Sequence, residues 1–165
     1  MPPPSKIAPL SLTVLVDASH ASDLSTRRSV TGYIIVLGRA IISWYSKRQN
    51  TVETSSYGSE LVALRIAMEA LLDVRYTLRM MGIPFEKTST VLCDNQSVVI
   101  NMQNPSSMLK KKHNSCAYHK CREMTAASIT RLGHIPGSSN LSDILTKPIG
   151  PIEYYKYLKD TMYHA

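Results

Sequence analysis

Four acidic residues sit where a sheet protein could use them: Asp17 in VDAS, Glu60 in GSEL, Asp94 in CDNQS and Asp143 in SDIL. The chain has twelve Asp and Glu residues among 165, few enough for each to be weighed by its place. In VLCDNQSVV, Asp94 follows an apolar run and precedes a helix-like segment. It is either a turn-former or helix cap, or an acid held at the end of a buried strand. The others also have ordinary readings when taken singly. Asp17 is a strand-end turn residue, Asp143 an acid favoured by a helix N-terminus, and Glu60 a solvated helix position. Taken together they point elsewhere. If the strands ending at Asp17 and Asp94 are parallel neighbours, both carboxylates emerge at one sheet edge. Helices starting at that edge then bring Glu60 and Asp143 toward them. Converging carboxylates repel one another unless cations neutralise them. Hard divalent ions suit such a set, and Mg²⁺ uses few protein carboxylates plus waters and substrate phosphates. Two such ions activate a water and stabilise the leaving oxygen in phosphodiester cleavage.

The elements that must place these acids follow from hydrophobic period. Residues 10–19 (LSLTVLVDAS), 29–38 and 39–47 read as three β-rich strands. The second and third meet at Leu37-Gly38-Arg39, a short turn that implies an antiparallel hairpin. The period then changes. Over 56–81, Leu61, Leu64, Met68, Leu71 and Leu72 recur at helical spacing, with Ser55 or Ser56 as cap and Gly82 and Pro84 as stop. Residues 88–94 read as a fourth strand, and 95–104 as a short helix closed by Pro105. A helix with a basic front over 110–127 and a fifth strand over 128–137 follow. A short helix over 140–147 precedes Pro148, and 152–163 reads as a terminal amphipathic helix or partly ordered tail. Three consecutive strands followed by strand–helix alternation imply an α/β fold. Its five-stranded mixed sheet has three antiparallel strands plus two parallel ones, flanked by helices. The expected division is a proline-rich leader or linker end over 1–9, one domain over 10–150, and a C-terminal helix or tail over 151–165.

Composition narrows the function classes. The length suits one domain with a sizeable core. Hydrophobic residues are 44% and charged residues 19%, ordinary for a globular domain. No apolar run reaches the roughly 18 to 20 residues of a membrane span, and MPPPSKIAP lacks a signal-peptide core. Secretion and a membrane partner are therefore not expected. A net charge of +7 suggests a polyanionic partner, nucleic acid first. Three cysteines without framework spacing suit a reducing compartment.

The segments VDASHASDLSTRRSVTGYIIVLG, ISWYSKRQNTVETSSYGSELVAL, CDNQSVV, KKKHNSCAYHKCRE and NLSDILTKP are similar, in order, to the ribonuclease H domain of copia-type retrotransposon polyproteins. The likeness runs over residues 12–150. It implies a ribonuclease H-like fold and an endonuclease that cuts the RNA strand of RNA·DNA hybrids with two Mg²⁺ ions, Mn²⁺ substituting. It implies that Asp17 bridges both ions, that Glu60 and Asp94 serve mainly one, and that Asp143 serves the other beside the attacking water. Glu60 would also face a ribose 2′-OH, the group that separates RNA from DNA. Ser19, His20, Asn95 and Gln96 flank the acids as expected contacts to the hybrid's minor groove. A reverse transcriptase polymerase domain is the expected protein partner, and a cytoplasmic retroelement particle or the nucleus the expected location. Two features depart from the family. Many relatives carry a mobile histidine in the loop before the last aspartate, whereas His134 reads as a packed or partly exposed strand residue and is not assigned that role. No polymerase domain precedes the chain, so an excised fragment or a stand-alone copy is expected.

Three further features bear on partners and ions. Lys110, Lys111 and Lys112, with Arg27, Arg28, Lys47 and Arg48, are candidates for substrate phosphates. His113, Cys116, His119 and Cys121 invite a zinc reading, but on one continuous helix they spread around the cylinder, so structural zinc is not expected. Trp44 and Tyr45 read as core or sheet-face packing. Two rivals accompany the nuclease reading. One is an integrase or transposase core, disfavoured because Glu60 falls between the third and fourth strands. The other is a retroelement-derived nucleic-acid-binding module without turnover.

Overall fold

The computed structural model describes residues 8–107 and 112–162. Its strands are β1 (Leu12–Ser19), β2 (Val30–Leu37), β3 (Ala40–Arg48), β4 (Ser89–Cys93) and β5 (Thr130–His134). Its α-helices are α1 (Ser56–Met80), α2 (Gln96–Gln103), α3 (Ser115–Ala126) and α4 (Pro151–Met162). The strands form one sheet in the order β3-β2-β1-β4-β5. β1–β2 and β2–β3 are antiparallel, and β1–β4 and β4–β5 are parallel. This is the expected mixed sheet of three antiparallel strands plus two parallel.

The hairpin closes as its residues dictate. Leu37 pairs with Ala40, and Gly38 between them adopts φ 61°, a left-handed conformation that glycine enters without cost. α1 presents Leu61, Leu64, Met68 and Leu71 to the core, all fully buried. Against them lie Val14, Val16, Ile35 and Val91 from the sheet. Leu72, expected in the same stripe, is only partly buried. Ser55 caps α1 by accepting from the Gly58 N–H at 3.3 Å. Further along, the stripe carries a buried arginine. Arg75 donates to Ser89 Oγ at 2.6 Å and to the Lys87 carbonyl at 2.7 Å, which satisfies a charge that burial would otherwise penalise.

Several elements are shorter or tighter than expected. The basic-fronted helix begins as a 3₁₀ turn, Lys112–Asn114, and is α-helical only over Ser115–Ala126. The fifth strand is confined to Thr130–His134, because Ser128 turns the chain at φ 56° and Pro136 cannot donate to a ladder. The helix expected over 140–147 is a 3₁₀ helix, Leu141–Leu145. Trp44 corrects the packing expectation: β3 is the sheet edge, and the indole stays 68% exposed. Tyr45 does pack, stacked on Tyr33 with centroids 5.1 Å apart. Among the described residues, no helix is long and apolar enough to cross a membrane.

Gly32 decides how closely the Leu141–Leu145 turn approaches the sheet. It pairs with Asp17 across β1–β2. A Cβ there would sit 2.6 Å from Thr146 Cγ2 and 3.0 Å from Leu145 Cβ. Gly32→Ala is therefore expected to overpack this contact and cost about 1–3 kcal/mol. Gly150→Ala, where a Cβ meets nothing within 4 Å, should be close to neutral. Thermal or urea unfolding of the two variants checks the contrast.

Candidate active site at the parallel strand edge

The β1–β4 ladder runs from Thr13↔Thr90 to Val16↔Cys93. The next residues on the two strands are Asp17 and Asp94, so parallel pairing delivers the two acids side by side. Asp94 is not the helix cap. Asn95 fills that role, its side chain accepting from the Val98 N–H at 3.2 Å. The aspartate is thereby left to the strand edge.

The other two acids arrive from separate elements. Glu60 is held on the first turns of α1 and is 6% exposed. Asp143 lies in the Leu141–Leu145 turn, which Asn140 fastens to β1. The fully buried Asn140 side chain donates from Nδ2 to the Val16 carbonyl at 3.1 Å, and its Oδ1 accepts from Ser142 Oγ at 2.6 Å. Two triads of donor atoms result, each lying within 4.8 Å of one another: Asp17, Asp94 and Asp143, and Glu60, Cys93 and Asp94. Asp94 belongs to both, so all four predicted acids come together around it.

The electrostatics follow from burial and repulsion. Burial, then the charges of Asp17 and Asp94, push the Glu60 carboxyl up to about 9. Burial and the Asp17 charge raise Asp94 and push Asp143 up to about 6. Cys93, fully buried, is also raised, by burial first and Glu60 second. It stays a neutral thiol, with Sγ 4.0 Å from Glu60 Oε2.

Two groups beside the acids escaped the sequence reading. Thr146 donates its hydroxyl to Asp17 Oδ2. The Lys147 ammonium lies 3.1 Å from Asp143 Oδ1 and 3.7 Å from Asp17 Oδ2. Their signal was the spacing, since Thr146 and Lys147 stand three and four residues after Asp143. His134, the exposed last residue of β5, donates from Nε2 to the Asp94 carbonyl at 3.1 Å. It borders the site as well as ending a strand.

The expected substrate contacts divide. His20 and Gln96 are exposed beside the acids, although His20 Nδ1 also lies 3.4 Å from Ser59 Oγ. Ser19 is buried and donates to Ser22 Oγ at 2.7 Å, and Asn95 is committed to the cap. Both are less available than the sequence implied. Arg27 and Arg28 are exposed on a loop that closes on itself, Arg27 N donating to the Asp23 carbonyl at 2.7 Å. Lys112 is exposed, whereas Lys110 and Lys111 lie outside the described residues. In α3, Cys116 is exposed and Cys121 buried, so the two thiols face different environments.

No protein-family model matches the sequence. The retrovirus-related Pol polyprotein from transposon RE2 of Arabidopsis thaliana is 30% identical over 148 residues, 90% of this chain and 10% of that protein. The chain thus spans about a tenth of the length of this curated relative. Among solved structures, LC11-RNase H1 in complex with RNA/DNA hybrid superposes with a TM-score of 0.63 at 18% identity, covering 82% of this chain and 94% of that one. The foamy viral protease-reverse transcriptase in complex with RNA/DNA hybrid matches at TM-score 0.54 and 14% identity, over 88% of this chain and 21% of that one. Homologues of the chain are copia-type retrotransposon Pol polyproteins, and its fold is that of a ribonuclease H.

At the site of this ribonuclease H-fold domain, the raised Glu60 carboxyl couples stability to pH when no divalent ion is present. Glu60 binds its proton more tightly folded than unfolded, so its contribution is complete below about pH 4.5 and lost as pH rises toward 9. Metal-free protein is therefore expected to lose stability across that window. Glu60→Gln should flatten the loss, a result read from melting temperatures in chelator at pH 5, 7 and 9.

Proposed function

We propose that the domain hydrolyses the RNA strand of RNA·DNA hybrids endonucleolytically, leaving a 5′-phosphate and a 3′-hydroxyl. The observation that carries this reading is the gathering of Asp17, Asp94 and Asp143, with Glu60 adjoining through Asp94, at the carboxyl edge of the parallel strands. A cluster this dense, with carboxyls raised by burial first and by the Asp17 charge second, is matched chemically by divalent cations.

The donor set fits a hard ion. Asp17, Asp94 and Asp143 offer only oxygen, which suits Mg²⁺, with Mn²⁺ able to substitute. Cys93 keeps its proton and leaves Glu60 and Asp94 as the oxygen donors of the other triad. Asp17, Asp94, Asp143 and Glu60 would together hold two ions. Bound there, such ions supply water activation and charge neutralisation on the leaving oxygen.

The remaining work belongs to the chain. Thr146 and Asn140 hold Asp17 and the Asp143 turn in place, so the acids meet a substrate without rearranging. Glu60 would meet the ribose 2′-hydroxyl, which restricts cutting to RNA. His20 and Gln96 are open to the hybrid's minor groove. Arg27, Arg28, Lys110, Lys111 and Lys112 would steer the phosphates, consistent with the +7 charge. A reverse transcriptase polymerase domain is the protein partner proposed, in a retroelement particle in the cytoplasm or in the nucleus.

Incubation with a labelled RNA·DNA hybrid and Mg²⁺ tests the proposal. RNA-strand cleavage is expected, falling more than about a hundredfold in Asp94→Asn and stopping with chelator. Absence of cleavage, or equal cleavage by Asp94→Asn, would remove the nuclease reading in favour of a binding module. Duplex DNA should stay intact, and equal cutting of double-stranded RNA would refute hybrid specificity.

A further inference from the structure

We propose that Lys147 is a tethered counter-ion of the carboxylate cluster, holding Asp17 and Asp143 together in the metal-free protein and competing with divalent ions for them. The proposal rests on the reading of these acids as ion ligands, and goes beyond it by assigning the site an affinity control.

Position carries the first part of the argument. Lys147 follows Asp143 by four residues, and its Nζ reaches both Asp143 Oδ1 at 3.1 Å and Asp17 Oδ2 at 3.7 Å. The two carboxylates come from elements more than a hundred residues apart in sequence, so the ammonium joins two chain segments as well as one turn. Its neighbour Thr146 donates to the same Asp17 oxygen, Oδ2. The Thr-Lys pair thus directs two consecutive side chains at the cluster.

Physical competition carries the second part. An ammonium within hydrogen-bond range of Asp143 and close to Asp17 neutralises part of the repulsion that a metal-free cluster must otherwise bear. A divalent ion drawn to the same oxygens meets a like charge a few ångströms away. Even with water-like screening, that repulsion weakens ion binding by about tenfold. Lys147 can yield, since its side chain is 43% exposed and its four-carbon stem reaches solvent without backbone movement. The cation that stabilises the empty cluster therefore raises the ion concentration needed to fill it.

Mn²⁺ binding, measured as loss of the free-ion electron paramagnetic resonance signal, tests this without reference to turnover. Wild type, Lys147→Gln, Lys147→Arg and Asp94→Asn are compared at one pH and ionic strength. Lys147→Gln is expected to bind Mn²⁺ about tenfold more tightly and to melt lower than wild type in chelator. Lys147→Arg, which keeps the charge, should stay near wild type in both readouts. Unchanged or weaker Mn²⁺ binding by Lys147→Gln overturns the proposal. If Asp94→Asn loses binding at the same time, the ion site itself stands and only the competition is refuted. If Asp94→Asn binds as tightly as wild type, or if wild type takes up no Mn²⁺, both the ion-site reading and the counter-ion fall together.

Discussion

Repulsion among carboxylates at the end of the β1–β4 pair is the constraint on which the rest of the structure turns. Parallel pairing up to Val16↔Cys93 leaves Asp17 and Asp94 no choice but to emerge as neighbours. Neither strand can twist one acid away without losing ladder hydrogen bonds and the core contacts of Val14, Val16 and Val91. The opposition therefore has to be met from outside the ladder. Thr146 and Lys147 meet it with a hydroxyl proton and an ammonium. Gly32, opposite Asp17, leaves the space through which Thr146 reaches the sheet.

A second arrangement places Glu60 without exposing it. α1 lies on the core through Leu61, Leu64, Met68 and Leu71, which fixes the rotation of the helix and sends Glu60 toward the strand edge. On the same first turn, Gly58 lets Glu53 and Asn114 pack against the helix, since a Cβ would come within 2.6 Å of Glu53 Oε2 and 3.0 Å of Asn114 Nδ2. Burial then sets Glu60's character, favouring the protonated acid. Folding of the hydrophobic layer and protonation of a carboxyl are in this way coupled at one residue.

Polar residues around the cluster are mostly engaged within the chain itself. Asn140 is spent on β1 and Ser142, Asn95 on the α2 cap, and Ser19 on Ser22. Such commitments give the acids a rigid frame, because a buried polar group that leaves its partner is penalised. His20 and Gln96 are left as exposed polar groups beside the acids. Arg27, Arg28 and Lys112 are exposed, and long-range attraction from such charges does not depend on fixed geometry.

Much of the fold was legible in the sequence, and the candidate acids with it. Periodicity is local: the alternation of strands and the 3-to-4 spacing of Leu61, Leu64, Met68 and Leu71 need no knowledge of distant residues. The same holds for the turn at Gly38 and for the placing of Asp17, Glu60, Asp94 and Asp143 at element ends. Boundaries near Ser128 and Leu141 were less legible, since a left-handed residue and a 3₁₀ turn leave little trace in hydrophobic pattern. Trp44 was misjudged because a strand's apolar content does not say whether it is an edge. What only tertiary structure decided is which groups serve the acids. Asn140 reaches Val16 and Thr146 reaches Asp17 across separations of 124 and 129 residues. Those contacts exist only once the order β3-β2-β1-β4-β5 lays the Leu141–Leu145 turn against β1 and β2. Sequence alone determined the acids and the elements that end in them. Their spacing, their counter-ion and their protonation were settled by the sheet, because repulsion and burial depend on distances that chain order does not contain.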